Sequence, residues 1–344
     1  MTWAVYGAYG YTGRLVAELA VARGHRPLLL GRDPDALGQV AAELDLPFRA
    51  LSLDDTEALE STLSGLDLVA HCAGPFARTS RRMVDACLAT GTHYVDVTGE
   101  IDVLEAVLNR HEEAAQAAVT LLPGSGFDVV PTDCLAAMVA AALPGADRIE
   151  LAFRIGGGMS RGTALTAING LGSGGLARVA GQIVPVPAGW RRREFDFPSG
   201  PATVTSIPWG DVSTATRSTG VGDVVTYTAV PMARLQPVAA LALRVPGARR
   251  AASTLVSRLV RGPGDERRAR TRAEVVAEAG RGSTTVDAAL TTPNAYALTA
   301  DSVLRVVDRV LAGCVPGGAW TPSQAHGAEF ILELDDVSLE RKPV

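Results

Sequence analysis

A chain of 344 residues is longer than one compact core of typical size and predicts two domains. Hydrophobic residues at 47% and charged residues at 20% supply sizeable cores and argue against disorder. A net charge of −5 gives no basic footprint, which sets nucleic acid aside as a partner.

In chain order, TWAVYG (2–7) predicts a short strand. GRLVAELAVARG (13–24) predicts a helix, with Leu15, Val16, Leu19 and Ala20 on one face and Gly24 closing it. RPLLLGR (26–32) is a continuous apolar run, suited to a strand buried on both faces. PDALGQVAAELD (34–45) reads as a helix with Pro34 in its first turn, FRALSLD (48–54) as a strand and DTEALESTLSG (55–65) as a capped helix. LDLVAHCAG (66–74) is another buried strand, and RRMVDACLATG (81–91) is a helix ending at Gly91. THYVDVTGE (92–100) is a strand, DVLEAVLNRHEEAAQAA (102–118) one long amphipathic helix and VTLLPGSG (119–126) a sixth strand. Strand and helix alternating at this interval predict right-handed crossovers and a parallel sheet.

Near Pro131 the pattern changes. TDCLAAMVAAAL (132–143) is an apolar helix stopped by Pro144 and Gly145. The following stretch alternates in RIELAFRI (148–155), EFDFP (194–198) and VVTYTAV (224–230), which predicts a mixed or antiparallel sheet. The basic run within residues 248–274 reads as a solvated helix face. AYALTADSVLRVVDRVLAG (295–313) is a final helix and AEFILELDDVSLE (328–340) a closing strand.

Cys72, Cys87, Cys134 and Cys314 show no C-x-x-C spacing, and the five histidines form no H-x-x-x-H pair, so no metal site is expected. The free thiols read as buried ones in a reducing compartment. Without a signal-peptide pattern or a run of about 18 apolar residues, the expectation is a cytoplasmic protein with no membrane span.

The stretch GAYGYTG (7–13) follows a strand and opens a helix, the context that gives a glycine pattern meaning as a dinucleotide loop. Gly7 permits the tight turn, Gly10 lets a pyrophosphate approach and Gly13 packs helix on strand, with Tyr9, Tyr11 and Thr12 in the same loop. The spacing is G-x-x-G-x-x-G, a variant common among enzymes that prefer the phosphorylated cofactor. The second strand ends in Gly31 and Arg32 where an NAD site would place a carboxylate. Arg32 can fork onto a 2′-phosphate, Arg14 could assist, and Asp33 reads as a helix cap, so NADP(H) is preferred over NAD(H). Ala73, Gly74 and Pro75 end the fourth strand with the small residues a crossing cofactor needs.

Taken together, GAYGYTGRLVAELA, CAGPFAR, GTHYVDVTGE, GSGFDVVPTD, WGDVSTATRSTG and TPSQAHGAEFILEL resemble the saccharopine dehydrogenase-like oxidoreductases, in the bacterial branch near the trans-acting enoyl reductases. The resemblance implies an α/β fold. Its first part is an NADP-binding Rossmann domain over 1–131, rejoined by 295–326. Its second part, 132–294, is an α+β domain of mixed or antiparallel sheet for substrate binding and dimerisation, with a cleft between the two. It also implies hydride transfer. Enoyl reductases of this branch are longer than this chain, and the family spans both C=C and C–N chemistry.

A nicotinamide enzyme asks its protein mainly for position and a proton source. VDVTGE supplies Asp96, Thr98 and Glu100, and GSGFDVVPTD supplies Asp128 and Asp133. Asp133 reads as a helix cap, which leaves Asp128 and Glu100 as the catalytic candidates. GMSRG (158–162) imitates a nucleophile elbow at Ser160, for which His326 would be the one downstream histidine. A second reading is a helix start whose Ser160, Arg161 and Thr163 hold an anionic or carbonyl group of a small-molecule substrate, and a third is a purely structural bend. The functional expectation is an NADPH-dependent reductase of an activated C=C or C=N bond. The alternative is an NADP-binding regulator or partner protein without turnover. A sheet-edge homodimer through the second domain is a further expectation.

Overall fold

The computed structural model describes residues 2–156, 174–229 and 262–343. The chain divides into two compact units, Met1–Val130 with Tyr296–Gly327, and Pro131–Ala295 with Ala328–Val344.

In the first unit, β1 (Trp3–Tyr6), α1 (Tyr11–Ala22), β2 (Leu28–Gly31), α2 (Pro34–Leu44), β3 (Phe48–Ala50), α3 (Thr56–Leu63), β4 (Leu68–His71) and α4 (Phe76–Thr90) alternate. They continue with β5 (His93–Asp96), α5 (Ile101–Leu108), α6 (His111–Gln116) and β6 (Thr120–Leu122). The strands pair in parallel in the order β6-β5-β4-β1-β2-β3, the Rossmann order, with a seventh strand beside β6. Chain direction around the sheet reverses between β1 and β4, the switch point outside which ligands bind in such sheets. β1 and β4 are buried along their whole length, which their unbroken apolar sequences require. Asp33 caps α2, accepting from the N–H groups of Asp35 and Ala36, and Asp55 caps α3.

The single helix expected over 102–118 is two. Arg110 interrupts it, pairing with Glu113 at 2.7 Å and with Asp85 of α4. The new start at His111 lets the imidazole Nδ1 meet the Ala319 carbonyl at 3.0 Å and the ring meet Trp320 edge-on. Those partners belong to the returning segment, which runs α7 (Val130–Ala142) and the second unit later. This segment comprises a helix, Ala295–Leu311, the seventh strand, Gly318–Ala319 on β6, and a short helix, Pro322–His326, capped by Thr321 and Gln324.

The second unit opens with α7, whose Cys134, Leu135, Ala136 and Val139 are all fully buried. Its strands are β7 (Arg148–Ile155), β8 (Gly175–Val179), β9 (Gln182–Val186), β10 (Arg192–Phe197), β11 (Gly200–Ser206), β12 (Asp223–Thr228), β13 (Arg272–Arg281) and β14 (Thr284–Pro293). Among them lie α8 (Asp211–Thr219) and α9 (Asp265–Arg270), and the returning helix Ala295–Leu311 is α10. The seventh strand of the first sheet is β15, the short helix after it α11, and the last strand β16 (Ser338–Arg341). The sheet runs β10-β11-β12-β7-β13-β14-β16, with β8 on β12 and β9 on β8. It is mixed: β12 and β7 are parallel and the other pairs antiparallel. On one face Phe195, Phe197, Val225, Tyr227 and Val276 form a core. Beside it the Glu150 carboxylate takes the Tyr227 hydroxyl and Arg193, and Arg193 also reaches Glu278 at 3.0 Å. These polar groups are satisfied by one another, as burial demands.

The closing strand expected over 328–340 is confined to β16. Residues Ala328–Glu333 form a 3-10 turn instead. Phe330 and Ile331 are adjacent and both fully buried, which a strand with one covered face cannot achieve, because neighbouring side chains point to opposite sides.

Candidate cofactor site

The β1–α1 loop holds the first three candidates. Gly7 N–H donates to the Leu30 carbonyl at 2.8 Å, which binds the loop to β2, and Gly10 N–H returns to the Gly7 carbonyl at 2.9 Å. Gly7 has φ +87°, and a Cβ on it would stand 2.9 Å from the Ala73 Cβ. The loop therefore touches the β4–α4 loop across the switch point, and only glycine fits. A Cβ on Gly13 would lie 2.3 Å from the Gly7 carbonyl oxygen, so α1 packs on the loop with no room for a side chain. α1 begins without any side-chain cap and without an acidic residue in its first turn. This contrasts with α2, α3 and α4, which carboxylates cap. A helix start left uncapped behind a glycine turn presents N–H groups and the positive end of the helix dipole to an anion.

At the tip of β2, Gly31 lies under the Tyr9 ring: a Cβ there would be 2.6 Å from the ring edge. Arg32 is exposed and makes no hydrogen bond or ion pair with the described residues. Asp33 accepts two helix N–H groups through one oxygen at 3.1 Å and so is the cap the sequence suggested. Arg14 is engaged by two acidic side chains. Its guanidinium is held by Glu18 at 2.8 Å and Glu43 at 2.5 Å.

Ala73, Gly74 and Pro75 form the β4–α4 loop. Thr79 Oγ1 donates to the Ala73 carbonyl at 2.8 Å, which leaves it to accept from His71 Nε2 at 3.0 Å. His71 is fully buried, and burial pushes its pKa down to about 3. It is therefore a neutral residue that steadies this loop, a role for which scattered histidines give no sequence signal.

Glu100 and Asp128 part company. The Glu100 carboxylate accepts the N–H groups of Phe76 and Ala77, each at 2.9 Å, and thereby caps α4. That engagement gives it a structural task. Asp96 is likewise committed: it takes the Tyr94 hydroxyl at 2.6 Å and the N–H groups of Thr98 and Gly124 at 2.9 and 2.8 Å. Burial still pushes its carboxyl up to about 6. Asp128 is partly exposed and has no hydrogen bond to the described residues, and its side chain lies where a Cβ on Gly99 would collide at 2.9 Å. Although the residue is partly exposed, desolvation of its carboxyl by the packing around the turn pushes its pKa up to about 7. Asp133 is the acidic residue in the first turn of α7 in the second unit and accepts from Ser218 at 2.5 Å. Ser160, Arg161 and Thr163 lie outside the described residues.

A loop shaped for a diphosphate at a Rossmann switch point can be compared with known proteins. Residues 3–122 match the saccharopine dehydrogenase NADP binding domain. The trans-acting enoyl reductase of Mycobacterium leprae is 34% identical over 137 residues, 38% of this chain and 33% of that protein. The chain thus matches about a third of the length of that relative. Across the whole chain, the fold is that of the saccharopine dehydrogenase (L-Glu forming) of Saccharomyces cerevisiae, with a TM-score of 0.65 at 13% identity over 100% of this chain and 99% of the other. The homospermidine synthase of Legionella pneumophila, solved in complex with NAD, is similar with a TM-score of 0.69 at 12% identity over 99% of this chain and 91% of the other.

The saccharopine dehydrogenase NADP binding domain therefore accounts for β1 to β6, and its residues fit the cofactor. Gly7 and Gly13 mark the places where a side chain would fill the cradle, and the α1 N-terminus supplies donors. Among the described residues no group of histidine, cysteine, aspartate and glutamate could hold a metal ion. No helix there is long and apolar enough to cross a membrane. The thiols are free, but Cys314 is exposed and Cys72 partly so, unlike the uniformly buried set expected.

Proposed function

We propose that the protein is an NADPH-dependent oxidoreductase that reduces an activated C=C or C=N bond of a small or medium-sized metabolite, the bound nicotinamide supplying hydride and the protein the proton. The observation that carries this reading is the uncapped start of α1 behind Gly7, Gly10 and Gly13, inside a segment that matches an NADP binding domain. Tyr9, Tyr11 and Thr12 line the same loop, and Ala73, Gly74 and Pro75 face it across the switch point. Arg32 selects the 2′-phosphate. It is exposed and uncommitted, and the neighbouring carboxylate that could grip a ribose hydroxyl is spent on α2.

Asp128 is the proton donor of this proposal. A carboxyl with a pKa of about 7 holds its proton at Oδ1 or Oδ2 near neutral pH and releases it without a large barrier. Ser160, Arg161 and Thr163 remain candidates for holding a polar group of the substrate, and a homodimer and a cytoplasmic location remain part of the proposal. The relatedness to an enoyl reductase supports C=C reduction. The test is NADPH fluorescence on purified protein, followed by absorbance at 340 nm with a panel of enones and imines. Oxidation with either class supports the proposal. Tight binding with no turnover across a broad panel would favour a cofactor-binding regulator.

A further inference from the structure

The turn that carries Asp128 is anchored at three backbone positions. Gly124 N–H donates to Asp96 Oδ1 at 2.8 Å, and Ser125 N–H donates to the Asp96 carbonyl at 2.7 Å. The third anchor comes from the returning helix: Phe127 N–H donates to Thr299 Oγ1 on α10 at 3.0 Å. Gly126 makes room for it, since a Cβ there would stand 2.9 Å from Thr299 Cγ2 and 3.2 Å from Oγ1. Phe127 and Thr299 are 3% and 7% exposed, so water does not compete for that N–H. α10 is itself fixed to the glycine-loop helix: Asp301 pairs with Arg23 at 2.6 Å, and the Tyr296 ring meets Tyr11 edge-on with 4.8 Å between centres.

We propose that Thr299 is a positioning residue: its hydroxyl oxygen fixes the Phe127 peptide and thereby aims the Asp128 carboxyl, on the same helix that touches the cofactor loop. The inference rests on the reading of Asp128 as proton donor.

The experiment is a carboxyl ¹³C NMR titration of protein labelled at aspartate, with the Asp128 signal assigned by its loss in Asp128→Asn. Wild type and Thr299→Ser, which keeps the oxygen, should titrate alike near neutral pH. Thr299→Val keeps the shape and loses the acceptor, so the turn loosens and Asp128 regains water. Its midpoint should fall by roughly one pH unit or more toward the ordinary carboxylate range. If Thr299→Val does not melt cooperatively, Thr299→Ala takes its place. A valine or alanine variant that melts as a folded protein and titrates as wild type would overturn the proposal. The premise fails separately: an Asp128→Asn protein that still oxidises NADPH with an enone or imine would remove Asp128 as proton donor, whatever Thr299 does to the titration.

Discussion

Replacing Gly13 by alanine puts the packing of α1 on the cofactor loop directly under test. The added Cβ would sit 2.3 Å from the Gly7 carbonyl oxygen, 2.9 Å from its carbon and 3.1 Å from the Ala8 Cα. All three are backbone atoms, so no side chain can swing aside. Overpacking of this kind costs about 3 kcal/mol, and the better helix propensity of alanine returns about 1 kcal/mol. The net loss of about 2 kcal/mol corresponds to a fall in Tm of roughly 4–8 °C for a unit of this size. Relief comes by moving the Gly7–Gly10 turn away from α1, which also displaces the N–H groups offered to a diphosphate. The NADPH Kd, read by nucleotide fluorescence, should therefore rise at least tenfold, equivalent to about 1.4 kcal/mol. Gly65→Ala is the control, because a Cβ there meets only the Thr62 carbonyl oxygen at 3.8 Å. A Gly13→Ala protein with the Tm and Kd of the control would refute the reasoning.

Other substitutions separate the remaining roles. Arg32→Glu should weaken NADPH by roughly 10- to 100-fold, as for a lost charge-assisted contact of about 1.5–3 kcal/mol, and change NADH little; equal effects in paired titrations would remove the 2′-phosphate role. Asp128 has a pKa raised from 3.8 to about 7, so its protonated form dominates below that value, and turnover should decline as pH rises through 7. Asp128→Asn should abolish that limb of the profile. By linkage, a raised carboxyl pKa favours the fold at low pH, and this contribution is lost as pH rises from about 4 to about 7; Asp128→Asn should therefore melt progressively higher than wild type across that window. Glu100→Ala removes the cap of α4 and should lower stability by about 1–2 kcal/mol in denaturant melts, with turnover largely kept. Loss of turnover without loss of stability would return Glu100 to catalysis.

The sequence carries the first unit well because its signals are local. Apolar runs such as LLLG and LVAH make buried parallel strands, aspartates before helices cap them, and three glycines three residues apart can be placed on a strand-to-helix turn. Commitments made by distant partners are not local. Nothing near Glu100 shows that its carboxylate reaches back to Phe76 and Ala77. Nothing near Arg14 alone shows that Glu43 completes its pairing. The same applies to the break at Arg110, which depends on Asp85 and on a strand formed some two hundred residues later. Asp128 was readable as a candidate from its place after the sixth strand. Its desolvation depends on Gly99 and on the packing around its turn, which no spacing encodes. The final 3-10 turn was misread as a strand because periodicity over six residues does not distinguish two buried neighbours from an alternating edge.

The most direct measurement is isothermal titration calorimetry of the purified chain with NADPH and with NADH. A diphosphate seated on the start of α1 and a phosphate held by Arg32 predict saturable heat at one site per chain, with NADPH the tighter ligand. The absence of heat with either nucleotide, on protein that melts cooperatively, would contradict the cofactor site and the oxidoreductase proposal with it.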